Sequence, residues 1–578
     1  MSNELKFVKV TVDGKEIQGV EGMTILAAAK MAGVEIPTLC YLAGISNIGS
    51  CRICVVEVEG QDGLAAACNT PVFDGMVIRT RSPRVIAARR ENLRTILASH
   101  RSECTTCKRS GTCALQKLSN DFNLEEPDFD GPCAFEEWDP DFPLQRDASK
   151  CIRCMRCVAE CAKVQHCQVW EMSGPAANRG IRVTGNEPID SAKCALCGQC
   201  ITHCPTGALT ARDDTQKVLD ALADPDTITV IQVAPAVRTA WGEQIGLTRE
   251  QATPGRMAQA MRELGFDYVF DTDFAADLTI MEEASEFIEW VKEGKPRPMF
   301  TSCCPGWVRF AKLHYPQFVE QLSTSKSPHQ MMGAVVKNTM RAEAEAAGKK
   351  VFCLSIMPCV AKKYECDVPQ LATEAGRDVD AVITTREFDR RLRMYGIDVA
   401  ALPEGKFDDP LGLSTGAATI FGRTGGVMEA ALRTAANFLT GENPPFTVCD
   451  TTAATPDRPW VDKEIEVAGL HLRIAIASGL ENTAKLLDAL ESGQAAYDFV
   501  EIMACPGGCV GGGGQPIVFN QEMHAERAKV LNKLDGADTL RYSHENPDIK
   551  KLYDEWVGKP LSETAEEWLH THQKDWDI

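Results

Sequence analysis

The 578-residue sequence has no run of 18 or more apolar residues, so it predicts no transmembrane helix. Its first ten residues (MSNELKFVKV) lack the hydrophobic stretch of a signal peptide, and we expect a cytoplasmic protein. Basic residues are outnumbered, 61 against 81 acidic ones, and the resulting net charge of −20 disfavours a nucleic-acid-binding surface. The apolar fraction of 44% is typical of a globular chain and excludes a disordered one.

Cysteine, in contrast, is abundant, with 25 residues in the chain. Most are grouped as CxxC, and in a long chain without a visible signal peptide this pattern indicates metal ligation rather than a disulfide scaffold. The length predicts roughly four domains at ~150 residues each. Domains of that size build hydrophobic cores without disulfides, so we expect the thiols to hold metal.

Residues 1–80 predict a small β-rich domain. Val8–Val12 and Glu16–Val20 flank an Asp13-Gly14 turn, which is a strong hairpin signal, and a helix follows. The candidate ligands are Cys40, Cys51, Cys54 and Cys68. A zinc knuckle also uses four cysteines, but a hairpin and helix before a cysteine-bearing loop resemble the β-grasp of plant-type [2Fe-2S] ferredoxins. Ten residues separate Cys40 from Cys51, where those ferredoxins have four.

Residues 81–122 predict a second metal-binding domain. Its candidate ligands are His100, Cys104, Cys107 and Cys113, a set that suits either zinc or a one-His three-Cys [4Fe-4S] cluster. The surrounding stretch, residues 79–109, carries nine Lys and Arg against two Glu. Such a segment either docks an acidic electron carrier or partner subunit, or is a solvated helix face.

Residues 123–215 contain an internal repeat. The run Cys151, Cys154, Cys157 and Cys161 recurs 43 positions later as Cys194, Cys197, Cys200 and Cys204. This C-x2-C-x2-C-x3-C spacing is that of two-cluster bacterial ferredoxins, in which the fourth cysteine of each run ligates the other cluster. One [4Fe-4S] cluster is therefore expected on Cys151, Cys154, Cys157 and Cys204, and another on Cys194, Cys197, Cys200 and Cys161.

Residues 226–530 predict a large α/β domain of two lobes. Apolar, β-branched runs such as Thr227–Val233 and Lys350–Ile356 alternate with helical segments such as Gly255–Leu264 and Gly425–Leu439. Residues 531–578 predict a helical tail, because their apolar residues follow helical spacing. The expected fold class is therefore multidomain, α+β and α/β, with three small ferredoxin-like modules before the two-lobed domain.

Three short cysteine-bearing segments lie far apart in the large domain. They are Thr301–Trp307 (TSCCPGW), Met357–Glu365 (MPCVAKKYE) and Glu501–Cys509 (EIMACPGGC), and the glycine run Gly511–Gly514 follows the last. These segments resemble the three signature motifs of the [FeFe]-hydrogenases. The upstream modules resemble the long monomeric form of that family and the tail resembles its small subunit, so the resemblance covers nearly the whole chain.

The resemblance implies an H-cluster, a [4Fe-4S] cluster bridged by a cysteine to a two-iron subsite with CO, CN⁻ and azadithiolate ligands. Its implied ligands are Cys304, Cys359, Cys505 and the bridging Cys509. Cys505 and Cys509 would face one cluster if that stretch were helical. Lys362 is expected to hydrogen-bond a cyanide. The implied lining of the subsite is Ala234, Pro235, Met357 and Met503; Ala236 lacks the hydroxyl that some relatives have there.

The resemblance also implies the reaction H2 ⇌ 2H⁺ + 2e⁻. Its proton path would consist of the thiol of Cys303 followed by Glu283, Ser323 and Glu286. The two carboxylates need raised pKa values to exchange protons near neutral pH. Glu282 and Glu289, on the same helix, fit ordinary solvent charges. Glu365 receives no proton role, and the role of His329 is open.

Five cysteines stay without a ligand role: Cys133, Cys167, Cys353, Cys366 and Cys449. Buried structural thiols are the default for them, and Cys366, next to Glu365 of the second motif, is the one to watch.

Two rival classes share part of this pattern. A cytosolic iron–sulfur assembly protein keeps the cluster cysteines without hydrogen chemistry, but the presence of Cys303, Lys362 and the two path carboxylates argues against it. A respiratory complex I subunit accounts only for residues 1–210. The expected electron acceptor is ferredoxin, or NAD(P)-reducing flavin and iron–sulfur subunits of a complex. No GxGxxG follows a strand in this chain, so any nicotinamide or flavin site is expected on another subunit. Maturation proteins are expected to supply the two-iron subsite.

Overall fold

The computed structural model describes residues 6–129, 131–175, 179–446, 458–467 and 469–578. Cys449 lies outside the described residues. Across those ranges, no helix is both long and apolar enough to cross a membrane. The chain is multidomain, with ferredoxin-like modules before an α/β domain, as the sequence predicts.

The first module opens with the predicted hairpin. Asp13 (φ +47°) and Gly14 (φ +84°) form the turn in the left-handed conformation that such turns require. The five strands have the order β2-β1-β5-β3-β4, and alternate residues of β1 face the core beside a helix capped by Thr24. The elements are β1 (Phe7–Val12), β2 (Lys15–Val20), the helix Ile25–Met31, β3 (Val55–Val58), β4 (Leu64–Ala66) and β5 (Met76–Arg79).

Two helices, Pro83–Ala98 and Ala114–Asp121, enclose the loop that carries His100 and the next three cysteines. The basic residues of this region are largely neutralised by acids from other segments. Arg89 is buried and donates to the carbonyl oxygen of Val55 at 2.8 Å. The exposed cations pair with acids as follows: Arg79 with Glu59, Arg81 with Asp13, Arg84 with Glu57, Arg101 with Glu103 and Lys108 with Asp213. The geometry therefore favours the solvated-face interpretation over a strongly positive docking patch.

The repeat folds as two similar halves. Each run of cysteines leads into a short helix, and the residue before each helix is left-handed, Met155 (φ +63°) in one half and Gly198 (φ +73°) in the other. Pairs of short antiparallel strands flank the helices. The elements are β6 (Leu144–Arg146), the helix Arg156–Lys163, β7 (Trp170–Ser173), β8 (Gly180–Val183), the helix Gln199–His203, β9 (Leu209–Ala211) and the linking helix Thr215–Ala223.

The large domain contains two four-stranded sheets, one for each predicted lobe. The first is parallel, with the order β11-β10-β13-β14, and the second has the order β12-β17-β16-β15 with one antiparallel pair. Apolar β10 is buried almost throughout because helices cover both faces of such a sheet. The strands are β10 (Thr227–Val233), β11 (Tyr268–Asp271), β12 (Met299–Phe300), β13 (Lys350–Met357), β14 (Ala381–Thr384), β15 (Trp460–Val467), β16 (Leu470–Ser478) and β17 (Phe499–Met503).

Helices pack around these sheets. The longest, Thr272–Glu293, is buried along most of its length between the two lobes' elements. The others are Pro254–Glu263, Pro305–His314, Pro328–Ala346, Ala361–Glu365, Thr385–Met394, Gly416–Thr419, Gly426–Thr440 and Leu480–Glu491.

The tail packs back on the large domain. Ile549, Leu552 and Leu569 are buried against the helices Thr272–Glu293 and Pro328–Ala346. Its helices are His524–Ala537, Pro547–Leu552 and Glu563–Leu569. The first of these crosses the predicted boundary at residue 530, because its apolar residues pack on the large domain before and after that point.

Candidate functional site

The three cysteine-bearing segments meet in one place. Cys304 follows β12 and Cys505 follows β17, and these two strands are parallel neighbours, so their carboxyl ends open at the same edge. Cys359 follows β13 of the other sheet. Burial, and then the charge of Cys304, raise the pKa of the Cys359 thiol to about 12. Burial and the charges of Cys359 and Cys304 likewise raise the pKa of Cys505 and of Cys509.

Four free thiols thus converge between the lobes. As thiolates, these groups would be costly to bury unless their charges were compensated. A [4Fe-4S] cluster bound by four thiolates would remove that cost, so the residues present fit the group.

The stretch between Cys505 and Cys509 is a turn and not the helical turn that the four-residue spacing allows. Gly507 and Gly508 both have left-handed φ values, +77° and +88°, and a short 3-10 helix begins only at Cys509. The following glycines pack directly on neighbouring backbone. A Cβ on Gly512 would lie 2.2 Å from the carbonyl oxygen of Pro358, and one on Gly513 would lie 2.5 Å from that of Cys197.

Lys362 lies buried beside the thiol cluster. Its Nζ donates to the carbonyl oxygen of Cys303 at 3.1 Å and to Glu365 Oε2 at 2.8 Å. Burial opposes its charge, but Glu365 raises the pKa of Lys362 above its ordinary value. Ser327 Oγ donates to the same carboxylate oxygen at 2.8 Å, and His329 Nε2 lies 3.3 Å from it. Glu365 and His329, to which the sequence assigns no role, therefore support Lys362.

His329 is held in its neutral form. It is only 1% exposed, and burial together with the charge of Lys362 lowers its pKa well below the ordinary value. Within the part of the chain that the structure describes, its Nδ1 has no hydrogen-bond partner.

The predicted apolar lining is divided between two buried clusters. Ala234 and Met357 pack together in the parallel-sheet lobe, where the Ala234 amide donates to the carbonyl oxygen of Ile356 at 3.0 Å. Pro235 is buried next to them at the start of a 3-10 helix. Met503 belongs to the other cluster, at whose edge Cys303, Cys304 and Cys509 lie.

The four predicted proton-path residues are neighbours. The thiol of Cys303 has its pKa raised by burial and then by the charge of Glu283. Burial, and the charge of Glu286 behind it, raise the pKa of Glu283 to about 8. Ser323 Oγ donates to Glu286 Oε2 at 2.6 Å. These four residues therefore adjoin one another in the order Cys303, Glu283, Ser323, Glu286.

The cysteines of the repeat line two cavities crosswise. One cavity is lined by Cys151, Cys154, Cys157 and Cys204, so the last cysteine of the second run joins the first run. The other is lined by Cys194, Cys197, Cys200 and Cys161. Cys167, one of the unassigned thiols, also lines this second cavity, and its proximity lowers the pKa of Cys161.

The modules contact one another at their cysteines. Cys505 Sγ lies 3.6 Å from the carbonyl oxygen of Cys197, so the second ferredoxin cavity adjoins the thiol cluster of the large domain. Cys113 Sγ lies 3.6 Å from the carbonyl oxygen of Pro205, beside the first cavity. Burial lowers the pKa of the Arg156 guanidinium, and the nearby charges of Cys154, Cys204 and Cys40 oppose that decrease. Both upstream modules therefore reach the first cavity.

His100 is oriented for ligation. Its Nδ1 lies 3.1 Å from the carbonyl oxygen of Lys150, and burial lowers its pKa, so Nδ1–H donates and Nε2 keeps its lone pair. Metal-ligating histidines typically hold the other ring nitrogen in this way.

The thiols of Cys40, Cys51, Cys54 and Cys68 lie close together, and the neighbouring thiols of Cys51 and Cys68 lower the pKa of Cys40. Among the described residues, no three His, Cys, Asp or Glu side chains are arranged to hold a single metal ion.

The sequence interpretation missed one charged group beside the path. Glu282 is fully buried and not a solvent charge. Its Oε1 accepts from the hydroxyl of Tyr553 and its Oε2 from the amide of Leu561 at 2.9 Å, both in the tail. His570 Nε2 lies 3.1 Å from Oε2. Periodicity had no signal for this group, because its partners are about 270 residues away in the chain.

Five family models match the chain. They are the iron only hydrogenase large subunit, C-terminal domain (residues 227–513), the 2Fe-2S iron-sulfur cluster binding domain (6–83), the NADH-ubiquinone oxidoreductase-G iron-sulfur binding region (89–128), the 4Fe-4S dicluster domain (150–208) and the iron hydrogenase small subunit (521–576).

Two relatives match over almost their full length. The NADP-reducing hydrogenase subunit HndD of Solidesulfovibrio fructosivorans is 45% identical, with 98% of this chain and 99% of the relative covered. Iron hydrogenase 1 of Clostridium pasteurianum is 36% identical, with the same coverage of 98% and 99%. A solved structure, a variant of the [FeFe]-hydrogenase HydA1 from Chlamydomonas reinhardtii, has a TM-score of 0.56 and 40% identity over 62% of this chain and 98% of its own. The chain therefore belongs to the [FeFe]-hydrogenase family.

Proposed function

We propose that this chain is a hydrogen-activating catalytic subunit that interconverts H2 with two protons and two electrons. The observation that carries the proposal is the buried cluster of four thiols with an ordered series of proton-exchanging groups directly beside it.

The ligand assignment follows the thiol groupings. Cys304, Cys359, Cys505 and Cys509 would hold the H-cluster, with Cys509 as the bridge to the two-iron subsite. That subsite supplies, when bound, the iron centre at which H2 is split or formed. Lys362, charged and 2.8 Å from Glu365, would offer its remaining donor capacity to a cyanide ligand. Ala234, Pro235, Met357 and Met503 would exclude water from the subsite.

Proton exchange falls to the chain's own residues. The Cys303 thiol would pass a proton to or from the carboxyl of Glu283, which is protonated in most molecules near neutral pH because its pKa is about 8. Ser323 would carry the proton on to Glu286 Oε2, since its hydroxyl both accepts and donates.

Electrons would leave through the accessory clusters. We propose one [2Fe-2S] cluster on Cys40, Cys51, Cys54 and Cys68, and three [4Fe-4S] clusters on the His100 group and the two ferredoxin cavities. The Cys197 contact with Cys505 supports the second cavity as the group next to the catalytic cluster. The two upstream modules both adjoin the first cavity, which supports two points at which electrons leave the chain or, in the reverse reaction, enter it.

The acceptor we propose is a set of NAD(P)-reducing flavin and iron–sulfur subunits, with this chain as the hydrogenase subunit of a cytoplasmic complex. The full-length match to a subunit of an NADP-reducing hydrogenase supports this over free ferredoxin. Purification from the native source without a tag, followed by H2 uptake with NAD(P)⁺ or ferredoxin, tests it. If the chain purifies without other subunits and reduces ferredoxin but not NAD(P)⁺, the proposal of a complex is refuted, while the hydrogenase assignment stands.

A pair of variants tests the catalytic assignment. Cys303→Ala should leave iron content and the CO and CN⁻ infrared bands unchanged while nearly abolishing H2 turnover, because only a proton donor is lost. Cys359→Ala should lose the bands and part of the iron. Full turnover in the first variant, or intact bands in the second, would contradict the corresponding role.

A further inference from the structure

The predicted proton path does not end at Glu286. Glu286 Oε1 accepts two hydrogen bonds from Thr324, one from the amide and one from the Oγ1 hydroxyl, both at 2.9 Å. The same Oγ1 lies 2.8 Å from Nδ1 of His570, in the tail. The other ring nitrogen of His570 lies 3.1 Å from Glu282 Oε2. An unbroken series of hydrogen bonds thus runs from Glu286 to a histidine on a different part of the chain.

His570 is placed to hold a proton. Burial disfavours its charged form, but the hydrogen bond and charge of Glu282 raise its pKa above 6.5. The charged groups that face it are Glu282 and Glu286 from the long helix and Glu566 from the helix Glu563–Leu569, which ends just before His570. Glu282 is fixed in turn by Tyr553 and Leu561. All three facing groups are acids, so each favours the imidazolium.

The hydrogen-bond directions are consistent with that charge. The hydroxyl of Thr324 has one hydrogen, which it donates to Glu286, so it must accept from His570 Nδ1–H. His570 Nε2–H then donates to Glu282. Both ring nitrogens carry hydrogen in this arrangement, which is the imidazolium.

We propose that His570 extends the proton path beyond Glu286, with the hydroxyl of Thr324 as the intermediate, so that the C-terminal tail supplies the outer end of the path. The inference rests on the proposed hydrogenase function. His570 acts here through Thr324 and Glu286 and is a positioning and relay residue, not one that touches the reacting atoms.

The transfer balances without any further reagent. The hydrogen on His570 Nδ1 moves to Thr324 Oγ1 as the hydroxyl hydrogen of Thr324 moves to Glu286 Oε1. The products are a neutral His570, which keeps its Nε2–H on Glu282, and a protonated Glu286. One proton has moved, and the reverse shift returns it when H2 is oxidised. Thr324 is half-buried and Thr571 beside His570 is also half-buried, so this end of the path lies near the surface.

Thr324 offers a matched pair of variants. Thr324→Val removes the hydroxyl at almost unchanged shape, and the amide of residue 324 can still donate to Glu286. Thr324→Ser keeps the hydroxyl. We expect Val to lower H2 oxidation and H2 evolution by about 10- to 100-fold and Ser to stay within about threefold of the native enzyme, with iron content and infrared bands unchanged in both. Glu289→Gln, an exposed carboxyl on the same helix, serves as the neutral control.

The pH profile separates a relay from a structural role. With His570 in the path, H2 evolution should fall as pH rises through the pKa of His570, because the donor loses its proton. H2 oxidation should fall as pH drops through the same value, because the acceptor is already protonated. Thr324→Val and His570→Gln should both lose these two opposed dependences.

Three outcomes overturn the inference: native rates and profiles in Thr324→Val, an equal loss in Thr324→Ser, or profiles unchanged in His570→Gln. A native holoenzyme that does not turn over H2 would instead refute the proposed function itself.

Discussion

Glu283 is the group whose replacement tests the proton path most directly. It is 1% exposed, and burial and the charge of Glu286 raise its pKa from 4.5 to about 8. At pH 7 about nine in ten molecules therefore carry the proton, yet a tenth are ionised and ready to accept one. Glu283→Gln keeps the shape and removes both abilities. We expect H2 turnover to fall by about 10²- to 10⁴-fold, the usual contribution of a positioned acid–base group.

Glu283→Gln lowers turnover, but it is expected to raise the stability of the fold at high pH relative to the native enzyme. Because the pKa of Glu283 is higher in the folded chain, its protonated form stabilises the fold. That contribution is complete below pH 4.5 and is lost as pH rises through about 8. At about 1.4 kcal/mol for each pH unit, the native enzyme loses roughly 5 kcal/mol that the Gln variant, which has no proton to lose, retains.

The assay is thermal unfolding of both holoenzymes under anaerobic conditions at pH 6 and pH 9, with dye-linked H2 oxidation measured on the same samples. The Gln variant should gain stability relative to the native enzyme at the higher pH while it stays nearly inactive. Unchanged infrared bands show that the H-cluster is present. A variant with more than a fifth of native turnover would show that Glu283 is not a relay. A stability difference that does not change with pH would show that Glu283 is not a neutral acid in the folded chain.

Two further predictions concern the clusters. Cys204→Ser should remove the cluster of the first ferredoxin cavity, although most of the ligands of that cluster lie about 50 residues earlier. Electron paramagnetic resonance should show the loss of one [4Fe-4S] signal, with the signal of the second cavity retained. Loss of the second signal alone would refute the crosswise assignment. Arg156→Met should lower the reduction potentials of the [2Fe-2S] cluster and of the first-cavity cluster, because a buried positive charge near both clusters favours their reduced states. Reduction potentials that stay constant in a redox titration would contradict this prediction.

The sequence indicated the grouping of the thiols more readily than their local backbone. The likeness of the repeat to two-cluster bacterial ferredoxins led to the expectation of a crosswise exchange of Cys161 and Cys204, and each of these cysteines lines the cavity of the other run. The four-residue spacing of Cys505 and Cys509 left open whether that stretch is helical, and in the structure it is not. Left-handed Gly507 and Gly508 bend the chain there instead, and a four-residue spacing does not distinguish the two.

Long-range neighbours were beyond the reach of local patterns. Glu282 looked like a solvent charge because nothing near it in the sequence pairs with it, and only the return of the tail buries it against Tyr553 and His570. The net positive charge of residues 79–109 left two interpretations open for the same reason, since partners such as Asp13 and Asp213 come from other segments.

The crosswise arrangement of Cys161 and Cys204 has a consequence for how the ferredoxin region folds. Neither half carries a full set of ligands for its own cavity, so neither can be completed while the other is unfolded. Each inserted cluster closes the loop between the halves and lowers the entropic cost of forming the other site. Folding and cluster insertion in each half should therefore depend on the presence of the other half. A truncation placed between the two repeats would yield no half-sized ferredoxin, only a chain that cannot keep either cluster.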